Sequence, residues 1–144
     1  MNDGLKRDNV NRILKELIPD EEIDEKKYVH CLVRPYSFFS MIMSIITMGK
    51  PAVMYFAEKE IILLYLTMMY DYSGEFKTIP YDDVPGIDCY SLGLKKTALL
   101  RRCSERSLDI TMPIKCLGCS WQSENLTYLS DNKFFQESWP RSAN

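Results

Sequence analysis

Cys116 and Cys119 form a C-x-x-C pair, the spacing with which two thiolates can grip one metal ion or exchange a disulfide. A tetrahedral zinc needs two further ligands. His30, Cys31, Cys89 and Cys103 could supply them only if the fold brought them to the pair, and neither a second C-x-x-C nor an H-x-x-x-H is present. No βα setting of the kind that hosts redox pairs accompanies the motif, so the expectation is free, buried thiols with no metal and no cofactor. His30 is the single histidine, and any serine or cysteine nucleophile would have to borrow it as base. It sits in an apolar run beside Val29, and no G-x-S-x-G elbow accompanies it, which points to a packed histidine. Asp82 and Asp83 are adjacent in a turn after Pro80, where carboxylates cap backbone N–H groups more readily than they share acid and base work. There is no glycine-rich phosphate loop. The residues predict no enzyme and no small-molecule substrate.

Charge is the other source of chemistry. The 144 residues carry a formal net charge of -2, which argues against nucleic-acid binding by bulk electrostatics. The distribution is uneven. Between positions 94 and 115, Lys95, Lys96, Arg101, Arg102, Arg106 and Lys115 face only Glu105 and Asp109. Between 58 and 88 seven acids face two bases. Two solvated surfaces would explain this. The sharper reading makes Lys95, Lys96, Arg101 and Arg102 an electrostatic patch that orients a partner.

The elements that would position these groups follow from periodicity. Val10, Ile13, Leu14, Leu17 and Ile18 form one helical stripe, ended by Pro19. Five carboxylates between Asp20 and Glu25 then make a solvated connector lacking calcium-loop spacing. From Tyr28 the texture is β: strands are expected over Tyr28–Arg34, Ala52–Ala57, Ile61–Tyr70, Glu75–Ile79, Val84–Leu92, Thr97–Arg102 and Ser107–Met112. Trp121, Leu126, Tyr128 and Leu129 suggest a closing helix with Ser120 or Ser123 as N-cap. The division is therefore 1–25 as helix and connector, 26–137 as one domain, and 138–144 as a flexible tail. With 46% hydrophobic residues the chain can bury a sizeable core. Its N-terminus has no apolar core of the signal-peptide kind, so a cytoplasmic protein is expected.

Tyr36–Met48 interrupts the β pattern without a single charge. Ser37, Ser40, Ser44 and Thr47 recur at helical steps, so a helical insertion is expected. Thirteen residues at ~1.5 Å each span roughly 20 Å, too short for a hydrocarbon core of about 30 Å. The strand Ile61–Tyr70 is apolar on both faces, whereas a small barrel needs only one. Something must cover the second face, either the insertion or another copy of the chain. Phe38, Phe39, Met41, Ile42, Ile45 and Ile46, with Leu64 and Leu66, are thus the candidate interaction surface for self-association. The alternative is peripheral membrane attachment, with Phe38, Phe39, Met41 and Ile42 dipping into the interface, although only Arg34 and Lys50 flank the segment.

Thr78-Ile79-Pro80-Tyr81-Asp82-Asp83-Val84 resembles the I-P-Y-x-D-I stretch of bacterial pleckstrin-homology-like (PH-like) and GRAM-related domains. Leu108-Asp109-Ile110-Thr111 and Asn125-Leu126-Thr127-Tyr128-Leu129 resemble that family's last strand and closing helix, and the likeness covers about 28–135. The resemblance implies a mainly β fold with flanking helices: a PH-like split barrel of about seven strands closed by a C-terminal helix. The N-terminal helix and the insertion after the first strand depart from the pattern. It implies a scaffold for binding rather than catalysis, and the apolar surplus makes the expected partner a protein, the chain itself included. Lipid-binding relatives cluster Lys and Arg around the loop after the first strand, and with only Arg34 and Lys50 there, inositol phosphate recognition is not expected.

Overall fold

The structure, a computed structural model, describes residues 3–35, 49–116 and 118–135. Seven strands form one antiparallel sheet: β1 (Tyr28–Pro35), β2 (Lys50–Phe56), β3 (Glu60–Leu66), β4 (Tyr72–Pro80), β5 (Ile87–Leu92), β6 (Lys95–Leu100) and β7 (Leu108–Pro113). Their order is β4-β3-β2-β1-β7-β6-β5, so every pairing joins sequence neighbours except the β1–β7 seam. The sheet is not closed, and β4 and β5 are its edges. Helices α1 (Arg7–Leu17) and α2 (Gln122–Asp131) flank it.

Alternation along β1, β2 and β3 feeds two cores, because successive side chains of a strand point to opposite faces. Val29, Cys31, Met54, Phe56, Ile61 and Leu63 enter one core, which α2 covers with Leu126 and Leu129. Tyr28, Val53, Tyr55, Ile62, Leu64 and Leu66 enter the other. That second face is covered from within the chain. Val10, Ile13 and Leu14 of α1 pack on it with Leu5 and Trp121. Three such buried side chains contribute about 6 kcal/mol of gross hydrophobic stabilisation. Gly4 makes the docking close: its N–H donates to the Tyr70 carbonyl (2.9 Å), and a Cβ there would lie 2.7 Å from that same oxygen.

This corrects the expectation that the two-faced strand needs the insertion or a second copy. Leu64 and Leu66 are buried by the chain's own N-terminal helix. The strand is also shorter than Ile61–Tyr70. It stops at Leu66 because Thr67 turns the chain, its hydroxyl accepting from the N–H groups of Met69 and Asp71 while Tyr70 takes a φ of 63°. β4 resumes at Tyr72, opposite Leu66.

α2 completes β1 where β7 runs out. The β1–β7 register pairs Leu32 with Thr111, and its continuation puts Pro113 opposite His30, where proline has no N–H to offer. Gln122 fills the gap. Its Oε1 accepts from the His30 N–H, and its Nε2 donates to the carbonyls of His30 and Pro113, all at 2.8 Å. Asn125 likewise donates to the carbonyls of Glu25 and Tyr28. The N-cap of α2 is Trp121 and no side chain caps it, so neither Ser120 nor Ser123 plays that part. The Trp121 indole instead donates to the Leu5 carbonyl (3.1 Å). Tyr36–Met48 lies outside the described residues, as does the tail from 136.

Candidate functional site

Where β1 ends and β2 begins, the sheet opens into a cleft of about 430 Å³. Its apolar lining comes from Val33, Pro35, Tyr65 and Leu108, and its charged lining from Lys50, Lys77, Arg102 and Arg106, with Glu105 the one carboxylate among the described lining residues. Four cations and one carboxylate leave a formal excess of three positive charges.

The four cations arrive from three parts of the chain. Lys50 starts β2 and places its Nζ 5.5 Å from the Tyr65 ring centroid, a cation–π contact. Lys77 comes from β4 and reaches Glu105 Oε2 at 3.3 Å. Arg102 and Arg106 belong to the loop between β6 and β7. Arg102 Nη1 donates to the same Glu105 oxygen at 2.8 Å, and its other nitrogens donate to the Arg106 carbonyl. Arg102 is thereby a brace for the loop. No carboxylate among the described residues pairs with Arg106, whose guanidinium is exposed. Burial pushes the Tyr65 phenol above its ordinary range, so it stays protonated and can donate. Asp83 ties the cation-bearing loop to the turn before β5, its carboxylate accepting from the N–H groups of Cys103 (3.2 Å) and Ser104 (2.8 Å) and from the Ser104 hydroxyl (2.7 Å). Nearby, Arg34 is neutralised by Asp109 at 2.8 Å.

The cleft can hold an anionic group by charge-assisted hydrogen bonds beside an apolar lining. Among its described lining residues there is no nucleophile–base pair. His30 lies on the far face of β1, buried, its Nδ1–H donating to the Ala52 carbonyl (3.1 Å) and its ring edge-on to Tyr70. Burial lowers its pKa, which keeps the ring neutral. Among the described residues no three His, Cys, Asp or Glu side chains gather as a metal site.

The electrostatic patch drawn from the sequence divides. Lys95 and Lys96 open β6 while Arg101 and Arg102 follow its end, about 20 Å away along the strand. Lys96 donates to Ser130 (2.7 Å) and Arg101 pairs with Asp88 (3.4 Å). Of the four, only Arg102 reaches the cleft. Phe38, Phe39, Met41, Ile42, Ile45 and Ile46 lie outside the described residues, but the segment that holds them is anchored at Pro35 and Gly49, beside the cleft. Lys50 was legible from its place flanking that segment. Lys77 and Arg106 were not legible as members of the same site, since strands far apart in sequence bring them there.

No protein-family model matches the chain, and no curated protein matches it. Among solved structures it is similar to the hSac2 domain from human phosphoinositide phosphatase Sac2. Identity is 10%, the TM-score is 0.50, and the match covers 88% of this chain and 80% of that one. At that identity the likeness speaks for the fold alone. Among the described residues no helix is long and apolar enough to cross a membrane.

Proposed function

We propose that this chain is a non-catalytic, PH-like binding module that attaches peripherally to anionic membrane surfaces. The observation that carries the reading is the position of the cleft. Four cations against one carboxylate, a formal excess of three positive charges, line the point where the uncharged segment 36–48 leaves and re-enters the sheet. Peripheral attachment takes two signals, an apolar insertion and a basic surface, and either alone is marginal. Seven strands followed by a helix is the element order that the PH-like resemblance implies, which supports that assignment, although the sheet is open where the resemblance implies a barrel. Co-sedimentation with phosphatidylserine-containing vesicles tests the function. Pelleting that weakens with salt and is lost on pure phosphatidylcholine is expected. Equal pelleting with both vesicle types, or with neither, overturns it.

Self-association is the second reading. Its best support is β4, an edge strand with Phe76 half exposed and the exposed Met68 and Met69 in the turn before it. Unpaired edges template strand addition between copies. A solution mass of one chain at micromolar concentration overturns this reading.

A further inference from the structure

The C-x-x-C pair is placed differently from what the sequence suggests. It lies in the connection from β7 to α2, three residues before the helix begins at Gln122. The turn is closed by a hydrogen bond from the Cys119 N–H to the Cys116 carbonyl (3.3 Å), with Gly118 at a φ of 86°. Such a turn holds its first and fourth Cα atoms within about 7 Å. Disulfides span Cα separations of about 4.4–6.8 Å, so little movement is needed for a bond. The two thiols are already in contact, Cys119 donating its S–H to the Cys116 sulfur.

Their surroundings are unequal. Cys116 is half-buried, whereas Cys119 is 2% exposed, packed in the second core beside Trp121. The bond from Cys119 holds the Cys116 thiol below its ordinary range, and the same bond, with burial, pushes Cys119 far up. That asymmetry gives one attacking thiolate and one sheltered resolving thiol.

We propose that Cys116 and Cys119 form a reversible dithiol–disulfide pair that exchanges with low-molecular-weight disulfides of the glutathione class. The Cys116 thiolate attacks one sulfur of oxidised glutathione, forming a mixed disulfide and expelling one glutathione thiolate. Cys119 gives up its proton and attacks the Cys116 sulfur, which breaks the mixed disulfide and releases the second glutathione thiolate. Two protein thiols are oxidised by two electrons, and one glutathione disulfide is reduced to two thiols. The other three cysteines serve as internal controls. Cys103 is exposed without a thiol partner, Cys31 is fully buried, and burial raises Cys89.

The test exposes the reduced full-length protein to oxidised glutathione, blocks remaining thiols with iodoacetamide, and maps the peptides by mass. Wild type is expected to lose two alkylatable thiols to one Cys116–Cys119 bond, restored by dithiothreitol. Cys119→Ser should stop at a glutathione adduct on Cys116, and Cys116→Ser should leave Cys119 unmodified. In the untreated wild type, limiting iodoacetamide should label Cys116 ahead of the more exposed Cys103, a readout independent of either variant's folding. Adducts at Cys103 or Cys116 with no Cys116–Cys119 bond would overturn the proposal, as would a bond that forms only in urea.

Discussion

The two ends of β2 hold the same number of charged side chains and use them in opposite ways. At the Ala57 end a cleft of about 360 Å³ is lined by Asp20, Glu21, Glu58, Glu60 and Lys59. One of its carboxylates is consumed by structure: Glu21 accepts from the Glu58 N–H (3.0 Å) and from the Tyr55 hydroxyl (3.2 Å). Burial pushes that phenol up to about 12, so it remains a donor. At the Lys50 end, about 20 Å away, one carboxylate is shared by two of four cations and Arg106 is left facing water. Charge that secures a chain crossing is spent on the fold. Charge in excess of its partners is available to a ligand.

Removing the excess should have the largest effect. The triple variant Lys50→Gln, Lys77→Gln, Arg106→Gln is expected to lose about 3 kcal/mol of anionic-vesicle binding, at about 1 kcal/mol per cation, or roughly 150-fold in affinity. Its thermal midpoint should stay near wild type, since these side chains are exposed or partly exposed. Glu21→Ala reverses the pattern: it should cost about 1 kcal/mol in a urea titration by removing the acceptor for the Glu58 N–H and the Tyr55 hydroxyl, with vesicle affinity unchanged.

Asp83→Asn sharpens the comparison through pH. Hydrogen bonds from Ser104, then from the Cys103 N–H, hold the Asp83 carboxyl below its usual range. Its contribution is therefore complete at neutral pH and lost as pH falls through that lowered value. Thermal midpoints of wild type and variant should differ above about pH 4, the ordinary aspartate value, and converge in stronger acid. The smallest effect belongs to Glu58→Gln with Glu60→Gln. At about 20 Å from the basic cleft, beyond a Debye length of about 8 Å at physiological salt, these changes should alter vesicle affinity less than twofold. A larger change would mean that both ends of β2 act on one ligand.

Much of the fold was legible because it follows local rules. The seven strands and both helices occur in the expected order, since alternation, turn residues and the stripe Val10, Ile13, Leu14 are set by neighbours in the chain. Boundaries slipped where side chains override pattern, as at Thr67. The role of α1 as cover for β3 was not legible, although both the helix and the orphaned strand face were visible, because periodicity names an apolar face without naming its mate. Gln122 and Asn125 carried no signal of their part in completing β1. Each reads as an ordinary helix residue until β1 is laid beside it with two backbone groups unmatched.

The sequence by itself determined the run of short strands, the amphipathic first helix, the uncharged segment 36–48 and the lopsided charge, because each is a property of residues close along the chain. Only the tertiary structure decided which cations share a cleft, which apolar face is already covered, and that Cys116 and Cys119 touch within a strand-to-helix turn. The reason is geometric. Lys50, Lys77 and Arg106 are separated by tens of residues, and they meet only once hydrogen bonding has set the register of the strands between them.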